Sequence, residues 1–358
     1  MIASVSVSRR WLTLSLMLIV PIIVITLLLN ATGDITIVQR LTTALILMVA
    51  VIGLQVFSGN SGVISFATVA FVMIAAYTSA LLTIPAEQKP SLFPDMPWFL
   101  EWIIDISLPV PLGIIVAVLF TGLIGFIVGI PLVRLSGLAA GIGTLAFLVV
   151  TTVIITKWKS VTRGESTMVG VPKETTLWWA LIAVVIAIAV AALFQVSRRG
   201  RRLIASREDA NAARSIGISV PIERLWGWTI STTLAALAGA LYGHYIATFS
   251  AASFGFSLTF FIVAMLVIGG INSLTGAVVG VIAVQVLSEV MRTIETKGLG
   301  PIPAIDAPGL TEMALALILL LVLIARPAGI TGGREITALL RRRKSAPTEK
   351  EPASIGAP

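Results

Sequence analysis

The chain of 358 residues has no cysteine, a single histidine, and charged side chains at only 12% of its positions. Without cysteine there is neither a disulfide framework nor a thiolate metal site, and composition says nothing of the redox compartment. One histidine leaves few general bases and no zinc-ligand spacing. No nucleotide-binding glycine loop and no nucleophile paired with a base occurs either, so the residues do not describe an enzyme, a metal site or a cofactor held by this chain. The scarcity of charge has a second consequence. Ion-coupled carriers keep ionisable side chains inside the bilayer to hold the coupling ion. Here Glu289, Arg292 and Glu312 fall toward the ends of apolar runs and His244 near the end of another, positions that packing or an interface accounts for. A gradient-driven carrier is therefore disfavoured, although backbone carbonyls alone can hold sodium.

What the chain does have is apolar length. Hydrophobic residues make up 57% of it and the mean hydropathy is +1.02, against roughly 45–50% apolar in a soluble domain. A hydrocarbon core of about 30 Å takes about 20 apolar residues per crossing, and backbone polar groups in lipid are satisfied within a helix. Apolar runs at 11–30, 41–58, 62–83, 108–132, 137–158, 177–196, 225–245, 256–271, 274–291 and 310–324 predict an all-α polytopic membrane protein of about ten transmembrane helices. The first run is long and lacks a small-x-small cleavage site, so it reads as a retained span rather than a signal peptide.

Basic residues resist translocation, and their placement sets orientation. With the N-terminus inside, Arg9, Arg10, Arg134, the cluster from Arg198 to Arg224 and the tail from Arg326 to Lys350 all fall inside, most of the chain's 25 basic residues. Both termini are then cytoplasmic. The transmembrane domain extends over 1–335, with a cytoplasmic loop at 197–224 and an external loop at 85–106 that holds an interfacial piece near Trp98–Ile104. The basic tail, 336–358, reads as disordered. The net charge of +8 follows from this topology and the lipid surface, not from nucleic acid.

Two features stand out against the apolar runs. In the basic loop, Ser206 followed by Asp209 resembles a capping box, Glu208 and Asp209 would complement the dipole of a first turn, and Gly217 with Pro221 would end the helix. The expected helix of about ten residues is about 15 Å long and too short to be stable unless it docks. An ordinary basic loop with a helical turn is the alternative. Elsewhere, Gly59-Asn60-Ser61-Gly62 and Gly269-Gly270-Ile271-Asn272-Ser273-Leu274-Thr275-Gly276 each interrupt a pair of apolar runs on the same expected side. Interrupted helices mark transport pathways, and Asn60, Ser61, Gly62, Ser65, Thr68, Tyr77, Gly269, Gly270, Asn272, Ser273 and Gly276 are the candidates for one; tight turns are the alternative. Four small-xxx-small pairs, Gly125/Gly129, Gly137/Gly141, Gly239/Gly243 and Gly276/Gly280, are expected to be helix-packing contacts.

The loop segment Arg207-Glu208-Asp209-Ala210-Asn211-Ala212-Ala213-Arg214-Ser215-Ile216-Gly217 resembles the cytoplasmic loop of LivM-type permeases, the branched-chain amino-acid subfamily of ABC importers, with Ala210 in place of a second acid. Further segments resemble that family in order: Gly62 to Phe71 with Ala76-Tyr77, Gly137 with Thr144 to Phe147, Thr162-Arg163-Gly164 with Gly170 and Pro172, Ala238 to Leu241, Phe254, Ile268 to Gly276, and Arg326-Pro327-Ala328-Gly329-Ile330. Ala67, Thr68, Arg163 and Ala252 depart from it, standing for glycine, histidine, glycine and proline. The resemblance implies a permease subunit for branched-chain or other hydrophobic amino acids, with urea, short amides or another small solute as alternatives. It implies that Ser206, Arg207, Glu208, Asp209, Ala212, Ala213, Ile216 and Gly217 form a helix contacting an ABC ATPase subunit that carries the ATP and Mg. It also implies a second, LivH-like permease, an extracytoplasmic substrate-binding protein, and residence in a bacterial or archaeal cytoplasmic (inner) membrane.

Overall fold

A computed structural model describes residues 2–297, 310–326, 328–333 and 335. The expected disordered tail 336–358, Pro327, Arg334 and the side chains of Arg9, Arg10 and Glu312 lie outside the described residues. In chain order the helices are α1 (Ile2–Asn30), α2 (Ile35–Leu54), α3 (Thr68–Thr83), α4 (Lys89–Leu92), α5 (Val110–Leu132), α6 (Gly137–Lys157), α7 (Lys159–Thr162), α8 (Leu177–Val196), α9 (Arg198–Glu208), α10 (Ala210–Ser215), α11 (Val220–Ile246), α12 (Phe256–Gly269), α13 (Leu274–Lys297) and α14 (Leu310–Ala325). No strand occurs among the described residues, only one antiparallel bridge between Met168 and Phe249.

Each of the apolar runs read from the sequence coincides with one of the long helices, and among the described residues 7 helices are long and apolar enough to cross a membrane. The other three are α3 and α14, of 16 residues each, and α11. A 16-residue helix rises only about 24 Å. Helix α3 is short because residues 62–67, expected to be helical, are not. Helix α11 has 27 residues but carries Thr, Ser, Gly, Trp and His along its length, which lower its hydropathy. Two boundaries move outward for local reasons. Helix α2 starts at Ile35 rather than at residue 41 because the Asp34 carboxylate caps it, accepting from Thr36 N at 2.8 Å, and α11 starts at Val220 because Pro221 suits a first turn.

Helices α2 and α11 form the centre, with α3, α5 and α8 packed around them. The buried indole of Trp228 on α11 donates to Gly125 O on α5 at 2.8 Å and meets Phe57 and Phe71 edge-on, at centroid distances of 5.1 and 5.7 Å. Three of the four glycine pairs make close helix contacts, but Gly137/Gly141 does not: nothing lies within 4 Å of a methyl built on Gly137, and Gly141 meets only the rim of Phe66 at 3.8 Å. Helix α6 is peripheral there, and this pair has no helix backbone to approach.

At the end of the bundle opposite the arginine-rich loop, irregular segments are tied down by buried polar groups. His244, fully buried, bonds through Nδ1 to Pro172 O at 2.9 Å and through Nε2 to Ser79 Oγ at 2.8 Å. A carbonyl only accepts, so Nδ1 carries a proton. This is the packed histidine expected from its place at a span end. Glu289 on α13 pairs with Arg40 on α2 in a partly exposed contact. In the segment expected to be an external loop, the Lys89 ammonium is buried and donates to Ile103 O at 2.9 Å and to Ile106 O. Beyond it the expected interfacial piece is a single turn, Glu101–Ile103, beside an exposed Trp98.

Burial pushes Lys89 down to about 8 from 10.5. Below the folded value both states are charged and the burial penalty is complete; between the two values the unfolded loop binds more protons, so the loop gains stability as pH rises. Protease cleavage within residues 84–109, normalised to Lys89→Met, is expected to slow between about pH 7.5 and about pH 9.5. An identical pH profile in the variant would show that the ammonium is not penalised.

Candidate functional site

The first glycine break begins directly after α2. Gln55–Gly59 form a π turn, a local widening of the helix often found at functional sites, and Gly62 then takes φ +72°. Residues 62–67 run irregularly within the bundle, and side chains satisfy the backbone they free. Asn60 Nδ2 donates to Val56 O at 2.9 Å, and Ser61 Oγ, Ser58 Oγ and Ser65 Oγ accept from the amides of Val63, Ser65 and Ala67 at 3.1–3.3 Å. Thr144 on α6 accepts from Phe66 N at 3.1 Å. A run of Ser, Asn and Gly at this point is what allows a non-helical stretch to lie in a protein interior.

The second break joins α12 to α13. Gly270 sits at φ +121°, open only to glycine without strain, and Ser273 Oγ caps α13 by accepting from Gly276 N at 2.9 Å. The segment after α14 folds back onto this turn. Ile330 N donates to Ile268 O at 2.9 Å, and Thr331 donates to Gly269 O through its amide at 3.1 Å and its hydroxyl at 2.8 Å. Glu335 then receives Leu274 N at 2.7 Å, Thr275 N at 3.2 Å, Thr275 Oγ1 at 2.7 Å and Gln195 Nε2 at 2.9 Å. Sequence reasoning missed Thr331 and Glu335; an isolated acid in a basic stretch after Arg326-Pro327-Ala328-Gly329-Ile330 was the available signal.

The two breaks touch. A methyl built on Gly59 would overlap Ile271 O. The basic loop closes over the contact, in a form that corrects the expected helix in three respects. Ser206 is not an N-cap: it lies buried inside α9 with its hydroxyl donating to Leu203 O at 2.7 Å. Glu208 ends α9 rather than opening a helix. Asp209 is the cap instead, accepting from Asn211 N at 2.8 Å and Ala212 N at 3.0 Å, bonds that hold its carboxyl below the usual carboxylate range. The physical reason is that Ser197 already caps the preceding turn through Gly200 N, so the chain is helical from Arg198 and restarts at Ala210. Gly217 ends α10 with φ +83°, as expected, and Pro221 opens α11.

Of the loop residues, Ser206 and Ala213 are buried, Arg207 is half-buried, and Glu208, Asp209, Ala212, Ile216 and Gly217 are exposed, Ile216 at 75%. Arg207 turns inward. Its Nη1 donates to Gly59 O at 2.7 Å and to Asn272 Oδ1 at 3.1 Å, while Nε and Nη2 meet Glu208 Oε1 at 3.0 and 2.6 Å. One guanidinium thus joins both breaks to the loop, and Gly62 packs so closely on it that a methyl there would lie 2.7 Å from Arg207 Cγ.

The pathway candidates fall into two places. Asn60, Ser61, Gly62, Ser65, Gly269, Gly270, Asn272, Ser273 and Gly276 belong to the joined breaks, and Thr68 opens α3 beside them. Tyr77 is about 14 Å further along α3, buried against Phe249 and Phe254 with its hydroxyl unpartnered. Among the described residues no group of His, Asp or Glu is placed to hold a metal ion. The breaks are held by hydroxyls, amides and one guanidinium, groups suited to opening and closing a contact rather than to bond chemistry. Arg163, where the resembling family has glycine, adopts φ +63°, the left-handed conformation that favours glycine.

The profile of a protein family described as "Branched-chain amino acid transport system / permease component" matches residues 36–325, which include both breaks and the basic loop. The high-affinity branched-chain amino acid transport system permease protein LivM of Escherichia coli (strain K12) is 26% identical over 323 residues, covering 81% of this chain and 68% of that protein. Its Salmonella typhimurium counterpart is 25% identical over the same length, and a probable branched-chain amino acid transport permease protein LivM of Methanocaldococcus jannaschii is 27% identical over 249 residues, 64% of this chain and 72% of that protein. No solved structure matches.

Proposed function

The chain belongs to the family of branched-chain amino acid transport system permease components, and from that premise we propose that it is the membrane path of an ATP-driven importer for branched-chain or other hydrophobic amino acids. Family membership makes it a multi-pass membrane transport subunit rather than an enzyme. The rest is our reading. Ten helices cross the cytoplasmic membrane of a bacterium or archaeon with both termini inside, domain 1–335 forms the permease, and 336–358 is a cytoplasmic tail. An extracytoplasmic binding protein delivers solute, a LivH-like chain completes the pathway, and a separate ATPase holds ATP and Mg. The ATPase contact is α10 and its flanks: Glu208, Asp209, Ala212, Ile216 and Gly217 present the surface, while Ser206, Arg207 and Ala213 seat it on the bundle. The observation that carries this is the match over 36–325, since it takes in both breaks and the loop together.

The alternative solute is urea, a short amide or another small solute, and the departures at two positions bear on the choice. Ala67 and Thr68, which stand for the resembling family's glycine and histidine, are buried at the start of α3 beside the first break. Purified binding protein would discriminate the two by which solute it retains.

Affinity purification of this chain from its native membrane in mild detergent is expected to recover an ATPase, a second permease and a binding protein. Ile216→Asp, which places a charge on the most exposed apolar side chain of the loop, is expected to lose the ATPase and solute uptake while the chain remains in the membrane. Recovery of the chain alone, where a control ABC complex stays intact, would instead favour an ion-coupled secondary carrier, whose uptake an uncoupler abolishes.

A further inference from the structure

We infer that Arg207 is the positioning residue that keeps the two glycine breaks joined, and that withdrawing its guanidinium opens this end of the bundle. The inference rests on the reading of this chain as a permease moved through its basic loop. Gly59 O closes the π turn of the first break and Asn272 Oδ1 belongs to the second; the same Nη1 serves both, at 2.7 and 3.1 Å. Among the described residues Arg207 is the loop side chain that bonds to both breaks. The remaining guanidinium nitrogens are held by Glu208, the last residue before the break in helix direction at Asp209, whose backbone is extended at φ −149°.

The surroundings fix the base of the strut and free its driver. Helix α9 is locked to the bundle: Leu203 is buried and lies 2.8 Å from a methyl built on Gly227 of α11, and Gly200 packs on the end of α8. Helix α10 presents five of its six residues to the surface or its margin and buries only Ala213. Hydrogen bonds of 2.7–3.1 Å fail when lengthened by about 1 Å, so a small pull transmitted through the Asp209 joint to Glu208 and Arg207 would release both breaks at once. A lysine keeps three donors but, as a point charge without the planar fork, does not face Glu208 and the breaks at once, and would hold the breaks less firmly.

The chain's lack of cysteine allows a direct test. Ser61→Cys, buried in the first break, is placed in the full chain and exposed to a water-soluble maleimide in membrane fragments open to both faces. Ala238→Cys, buried in α11, reports global unfolding. With Arg207 present the Ser61→Cys thiol is protected. In R207A its labelling is expected to rise by about tenfold or more, the shift that loss of one hydrogen bond to a charged group produces; R207K gives an intermediate rate, and the Ala238→Cys thiol stays protected throughout. Equal labelling of Ser61→Cys in all backgrounds, with the control protected, overturns the inference. Should R207A expose the control, N272A decides, because it removes one acceptor and leaves the guanidinium: faster labelling supports the strut and an unchanged rate overturns it. No ATPase or solute enters the readout, so its failure leaves the transport reading standing, and absence of an ATPase in the purified complex leaves the labelling result standing.

Discussion

Gly239→Ala is expected to remove most of the folded protein, and Gly141→Ala to leave it intact or slightly more stable. Both glycines belong to small-xxx-small pairs in apolar helices and nothing local separates them. A methyl on Gly239, however, would overlap Val72 O and lie 2.7 Å from both Val72 C and Val72 Cα, because α11 and α3 cross there backbone to backbone. No rotamer relieves a collision with main chain, so two central helices must move apart. Overpacking that side chains can absorb costs about 1–3 kcal/mol, and this site is expected to reach or exceed the top of that range. Gly141 meets only Phe66 Cε2 at 3.8 Å, an ordinary contact, and alanine is favoured over glycine inside a helix by about 1 kcal/mol. The temperature at which the monodisperse detergent-solubilised protein is lost measures both; a drop for Gly141→Ala equal to that for Gly239→Ala would mean that the pattern, not the crossing, carries the packing.

Glu335→Ala should loosen the segment after α14 from the second break and leave α13 with the Ser273 cap alone. The carboxylate takes four hydrogen bonds, from Leu274 N, Thr275 N, Thr275 Oγ1 and Gln195 Nε2, and it faces the positive end of α13. Bonds to a charged group contribute about 1.5–3 kcal/mol where buried. Glu335 is only half-buried, so about 2–3 kcal/mol for the whole set is the expected loss. Glu335→Gln keeps an acceptor but no charge and should lose about half as much. The same thermal assay, with protease cutting after α14 as a second readout, checks the order wild type, Gln, Ala. Equal stability of all three would show that Thr331, through its bonds to Gly269 O, suffices to hold the segment.

Much of the architecture was legible in one dimension because it depends on local properties. Apolar length marks a helix wherever its neighbours lie, and Gly217 stops α10 through its own backbone conformation. Local reading went astray where two local options competed. Ser206 reads as the cap and Asp209 as an acid of its first turn, but Ser197 has already started α9 and Asp209 caps α10 instead. It went astray again at residues 62–67, where composition is apolar enough for a span and only the contacts of Ser58, Ser65 and Thr144 show an irregular path.

The sequence by itself determined that this is a helical membrane protein with two glycine-interrupted elements and a capped basic loop, since hydrophobic length, glycine placement and capping are properties of neighbouring residues. Only the tertiary structure decided that Gly239 bears a helix crossing while Gly141 does not, that Arg207 faces both breaks, and that Glu335 returns to α13. Those facts join positions 60 to 170 residues apart, and a contact at such range is set by how the helices pack, which no stretch of chain carries within itself.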